Sequence, residues 1–110
     1  MEEKRSWQFG NIGNKMFTAT NKGFTITFEN GWTASVQFGA GNYCENHWEP
    51  YRPPHTFPST QSVDAEVAAW ANDTRETWHD FGHDKVKGYC KPAEVLEFLN
   101  MVARKEPKND

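Results

Sequence analysis

The sequence has no long apolar run, no excess of basic charge and no export signal, and each absence removes a class of function. Without about 18 consecutive apolar residues, no segment reads as a transmembrane helix, so no membrane partner is expected. The start, Met1-Glu2-Glu3-Lys4-Arg5, lacks the apolar stretch of a secretory leader, and the expected location is the cytoplasm. Lys and Arg number 12 against 15 Asp and Glu, a net charge of −3. That excludes a coat for polymeric nucleic acid, which needs a basic field. Cysteine is confined to Cys44 and Cys90, too few for a disulfide framework, and reduced thiols are expected in a cytosol. There is no phosphate-binding P-loop, no nucleophile-elbow serine, no internal repeat and no low-complexity tract.

What remains is one domain, residues 1–110, whose core is unusually aromatic. Apolar residues make up 36% of the chain, yet five Trp, three Tyr and eight Phe bring aromatics to 15%, so much of the burial must be aromatic. Residues 1–15 are polar, anchored by Trp7, Phe9 and Ile12, and read as a pinned arm or edge strand. From Met16 the apolar period is two, through Met16–Thr20, Phe24–Phe28 and Trp32–Phe38. A two-residue turn at Asn30-Gly31 would pair Phe28 with Thr33 across the strands. A three-residue loop, Glu29-Asn30-Gly31, instead pairs Phe28 with Trp32, Ile26 with Ala34 and Phe24 with Val36, with Gly31 in the left-handed region of a G1 bulge.

Residues 39–62 read as a long Pro-rich loop carrying Pro50, Pro53, Pro54 and Pro58, with Tyr43, Trp48, Tyr51 and Phe57 folding it back on the sheet. Val63 to Trp70 alternates again and reads as a strand, with a helix as the other option. Glu76 to Phe81 is its hairpin partner after a turn at Ala71–Thr74. Residues 82–89 then form a connection with Val86 and Tyr89 as inward anchors. A helix spans 92–105, with Pro92 at its first position and Lys91 a poor cap. Its apolar stripe is Val95, Leu96, Leu99 and Val102, flanked by Phe98. The fold expected is α+β, an antiparallel sheet of four to six strands with one C-terminal helix on one face and the Pro-rich loop.

The segments FENGWTASVQFGAGNYCENH, Phe28 to His47, and VKGYCKPAEVLEFL, Val86 to Leu99, resemble small uncharacterised proteins of tailed phages and prophages that share a hairpin, a Gly-Asn-Tyr-Cys loop and a final helix. The likeness covers about a third of the chain and carries no site residues. It implies a phage setting, in which small accessory proteins counter host defences by contacting an enzyme or sequestering a nucleotide signal.

Among chemical constellations, Cys44, His47, His83 and Cys90 offer a zinc donor set, but their spacing is not a paired-cysteine pattern, and no metal is expected. The pairs His79-Asp80 and His83-Asp84 have the flavour of a metal phosphohydrolase, interrupted by Gly82. Gly39-Ala40-Gly41-Asn42-Tyr43 can turn backbone N–H groups toward an anion. Beside it, Tyr43, Trp48 and Tyr51 offer stacking faces and Arg52 and Arg75 offer phosphate contacts. Asn42, Tyr43, Trp48, Arg52 and Arg75 are therefore the candidate ligand-binding residues. Trp32 is expected in the core, and Trp70 either under the Pro-rich loop or exposed as an interface anchor. The expected function is non-catalytic: a counter-defence protein that sequesters a small, cyclic nucleotide in the cytoplasm of the host cell, without a cofactor and as a homo-oligomer. The alternative is a protein–protein inhibitor of a host defence enzyme acting through the 39–62 loop and exposed aromatics.

Overall fold

Alternation in Phe24–Phe28 and Trp32–Phe38 produces the hairpin at the centre of the fold. A computed structural model describes residues 15–48, 61–71 and 77–107. The arm before Lys15, the stretch 49–60 with all four loop prolines, and the turn after Ala71 lie outside the described residues. Strands β1 (Met16–Ala19), β2 (Gly23–Thr27), β3 (Trp32–Gln37), β4 (Ala65–Ala71), β5 (Thr77–Trp78) and β6 (Lys87–Cys90) precede helix α1 (Pro92–Ala103). The six strands form one antiparallel sheet in the order β1-β2-β3-β4-β5, with β6 also paired to β4. The architecture is α+β, as the apolar periods require.

The β2–β3 register is the one that the three-residue loop demands. Ile26 pairs with Ala34 and Phe24 with Val36, the Phe28 N–H donates to the Trp32 carbonyl at 2.9 Å, and Gly31 has φ 89°. The left-handed value explains a glycine there. One face then carries Trp32, Ala34, Val36, Val67, Ala69 and Ala71, which with Phe98 and Val102 form the buried core. The opposite face carries Thr25, Thr33, Ser35, Ala68 and Trp70. Val63–Trp70 is resolved as a strand rather than a helix, beginning at Ala65.

Helix α1 starts at Pro92, whose fixed φ suits the first helical position and whose missing N–H costs nothing there. Lys91 makes no side-chain cap; the Glu94 carboxylate reaches back to accept the Lys91 N–H at 2.8 Å. The helix ends at Ala103, two residues short of the span read from sequence. Its buried stripe is Phe98 and Val102 with Val95 and Leu99 half-buried, whereas Leu96 is 60% exposed. Phe98 replaces Leu96 in the expected stripe because positions 95, 98, 99 and 102 follow the i, i+3, i+4, i+7 rule and 96 does not.

The helix lies over β3, β4 and β6 but not over β2, so Ile26 is only half-buried and Phe17, opposite it on β1, is 79% exposed. Asn30 pins the other end: its Nδ2 donates to the carbonyls of Val102 and Lys105, both at 2.9 Å, while its Oδ1 accepts the Trp32 N–H. The loop asparagine thus satisfies carbonyls that a helix C-terminus leaves bare.

The edge beyond β4 is split. Trp70 pairs with Trp78 and Val67 with Lys87, so six residues are looped out where an unbroken strand would have placed residue 81. Residues 82–89 are therefore not a simple connection, and Tyr89 is 55% exposed rather than an inward anchor.

Candidate binding site

Two chain segments meet at the split edge: the loop after β3 and the strand β6. The loop is a tightly bonded knot. Gly41, at φ 86°, donates its N–H to the His47 carbonyl at 3.0 Å, Asn42 donates to Gly39, Cys44 to Asn42, and His47 to Cys44. The Gly39 N–H goes to Asn42 Oδ1 and the Glu45 N–H to Asp64 Oδ1 at 2.7 Å. The Tyr43 N–H and Asn42 Nδ2 both face Glu66 Oε1, at 3.4 and 2.9 Å. The expected anion nest is thus already engaged, and the anions near it are the protein's own Glu66 and Asp64 carboxylates. Asn42 is a brace between loop and β4, with both ends of its amide occupied.

Side chains from this knot turn outward. Tyr43 is 47% and Trp48 59% exposed, and His47 lies between them, stacked on Tyr43 at 5.5 Å and edge-on to Trp48 at 4.5 Å. His47 is fixed by contact of its Nδ1 with the Asn42 carbonyl oxygen at 2.9 Å. Arg52 and Arg75 lie outside the described residues. Trp32 is in the core as expected; Trp70, 7% exposed and tilted against Trp78 at 5.2 Å, is not an exposed anchor.

The β6 side is built by a bulge. Between Ala65↔Cys90 and Val67↔Lys87 the register shifts, with Glu66 on one strand facing Gly88 and Tyr89 on the other. Tyr89 takes φ 57°, the left-handed region, which is costly for a bulky residue. Its N–H donates to the Tyr43 carbonyl at 2.9 Å, joining the two segments. Gly88 makes that junction possible: a Cβ there would stand 2.5 Å from Tyr43 Cβ. The result is a cleft of about 430 Å³ lined by Tyr43, Phe81, His83, Asp84, Lys87 and Tyr89, with Val86 and Gly88 between them. Bulges that re-aim side chains, and strained non-glycine residues, concentrate at functional sites.

The looped-out residues that supply one wall are ordered by their own contacts. Asp80 Oδ1 accepts the Gly82 N–H at 2.7 Å and Asp80 Oδ2 lies 3.6 Å from Lys85 Nζ; that hydrogen bond first, then the Lys85 charge, holds the Asp80 carboxyl below its usual range. Phe81 stacks on Phe98 of α1 at 5.6 Å, and His79 sits edge-on to both rings. Burial there, helped by the Lys105 charge, lowers the His79 pKa.

Among the described residues, no group of three or more His, Cys, Asp or Glu side chains is placed to hold a metal, so neither the Cys44, His47, His83, Cys90 set nor the two His-Asp pairs come together. Both cysteines are free and buried, and burial pushes both thiols up, away from the thiolate that a nucleophile needs.

Of the five residues expected at a site, the structure places Tyr43 in the cleft, Asn42 beneath it as a brace, and Trp48 on the adjoining surface. Lys87 was not singled out in the sequence, whereas His83 was read there as a metal donor and Tyr89 as an inward anchor, and none of the three as ligand-binding. The available signal was Gly88 before Tyr89 within a short strand, the mark of a bulge or close backbone approach. No protein family, characterised protein or solved structure matches the chain.

Proposed function

We propose that the protein binds a small nucleotide without transforming it, holding it in the cleft between Tyr43 and Tyr89. The observation that carries this reading is the bulge at Gly88-Tyr89, which spends backbone strain to set a second exposed phenol ring beside Tyr43 at a cleft that also contains Lys87 and His83. Exposed aromatic faces stack a nucleobase, and an ammonium and an imidazole are donors suited to phosphate oxygens. Asp84 is an acceptor for a base amino or sugar hydroxyl. With a net charge of −3 and, among the described residues, Lys87 and His83 as the basic side chains lining the cleft, one small ligand suits the site better than a polymer. The buried thiols, which burial pushes up, favour capture over cysteine catalysis. Sequestration of a cyclic nucleotide signal in the host cytoplasm, as the resemblance to phage proteins implies, is the biological form of this proposal.

Calorimetry against linear and cyclic mono- and dinucleotides tests it. Saturable binding, with the ligand recovered chemically unchanged, supports capture; turnover would mean an enzyme, and silence across the panel removes the nucleotide reading. A second reading, inhibition of a host enzyme by contact, is favoured by the solvent-facing aromatics Tyr43, Trp48 and Tyr89. It predicts a host protein retained by the immobilised domain and lost with Trp48→Ala. Self-association at sheet edges, if present, would use β1, where Met16 and Phe17 are exposed; sedimentation velocity reads it.

A further inference from the structure

A second cleft lies under the first turns of α1. Because the helix covers β3, β4 and β6 and stops short of β2, a space of about 410 Å³ remains between Val95 and Leu99 above and Phe24, Val36 and Phe38 below. Its floor is Ala65 and the Cys90 thiol, respectively 6% and 3% exposed. Its rims are Leu96 and Val63, large apolar side chains that stand 60% and 56% exposed. Among the described residues the polar lining is Gln61, Ser62 and Asp64, which already have partners. Asp64 Oδ1 accepts the Glu45 N–H, its Oδ2 faces Lys91 Nζ at 3.7 Å, and Ser62 Oγ donates to the Asp64 carbonyl at 2.6 Å.

We infer that this cleft is a binding site for one small, uncharged apolar molecule, such as an aromatic or short alkyl compound, independent of the nucleotide reading. The chemistry of the walls selects that class. A charged or strongly polar head would be desolvated against groups whose hydrogen bonds are already made, at a cost that the cleft does not repay. The size selects a small molecule over a protein: pockets for small ligands run from roughly 300 to 1,000 Å³, and this volume is near the lower bound. An amphipathic partner helix needs a groove long enough for anchors over two turns.

The probe is N-phenyl-1-naphthylamine, uncharged and fluorescent only when shielded from water. Saturable one-to-one binding at micromolar concentration is expected. Leu96→Lys, at an exposed helical position that should leave the thermal midpoint unchanged, should weaken it at least tenfold. Bound probe should also slow alkylation of Cys90 several-fold, read on its peptide by mass spectrometry, while Cys44, which does not line the cleft, keeps its rate. No saturable binding to the folded protein, or binding indifferent to Leu96→Lys with Cys90 unprotected, overturns the inference. So does a wild-type dimer that Leu96→Lys dissociates, since the occupant would then be a second copy.

Discussion

Replacing Tyr89 by Asn separates the stability of the bulge from its use. A left-handed conformation costs an ordinary L-residue about 1–2 kcal/mol, and Asn is among the side chains that adopt it most readily. Against that relief stands the loss of the ring. Tyr89 is 55% exposed, so slightly under half of its surface is buried. Full burial of an aromatic side chain removes about 150–250 Å², so roughly 70–110 Å² is lost, about 2–3 kcal/mol before the discount for a compact unfolded chain. The two effects nearly cancel. Tyr89→Asn should unfold in urea within about 1 kcal/mol of the wild type, while a nucleotide that stacks on the ring should lose about 1–3 kcal/mol of affinity, roughly 5- to 150-fold. Tyr89→Phe, which keeps the stacking face, should keep most of the affinity. The reasoning is refuted if Tyr89→Asn costs more than about 2 kcal/mol of stability while calorimetry shows nucleotide affinity unchanged.

Asn30→Ala removes the amide that closes the helix C-terminus onto the β2–β3 loop; at about 0.5–1.5 kcal/mol for each of three good hydrogen bonds, a loss of roughly 1.5–4.5 kcal/mol is expected in equilibrium unfolding. Val102→Ala, at a position with no exposed surface, should cost about 2–3 kcal/mol, more than Ile26→Ala, whose side chain the helix does not cover. His79 is harder to protonate in the folded state than in the unfolded chain. Its neutral form therefore contributes fully above the unfolded value of about 6.5, and stability falls as pH drops below it. Thermal midpoints followed from pH 8 to pH 5 should decline less in His79→Phe than in the wild type.

The hairpin was legible because a wrong register would have put Phe28 against Thr33, so the apolar pattern and Gly31 left one consistent pairing. Val63 to Trp70 was legible as a strand from its alternation and the turn after it, with a helix left open, and the strand runs from Ala65 to Ala71. The alternation fails at β6, where a bulge interrupts the period of two and a left-handed Tyr89 points against it, so Lys87–Cys90 read as connection. The anion-nest reading of Gly39–Tyr43 was limited in another way. Small residues permit such a loop, but only the fold reveals that Asp64 and Glu66 arrive beneath it to take its donors. Tyr43 was found from the sequence because an aromatic in a glycine-rich loop is conspicuous; its partner across the cleft depends on a pairing between residues distant in the chain.

The central claim is that Tyr43, Lys87 and Tyr89 form one ligand site. Backbone amide resonances followed by two-dimensional NMR during titration with the nucleotide panel test it most directly. The account predicts saturable shifts for at least one nucleotide, concentrated at Tyr43 and across residues 81–89, with Val95 to Val102 unmoved. No shift with any nucleotide, or shifts centred away from those two segments, would contradict it.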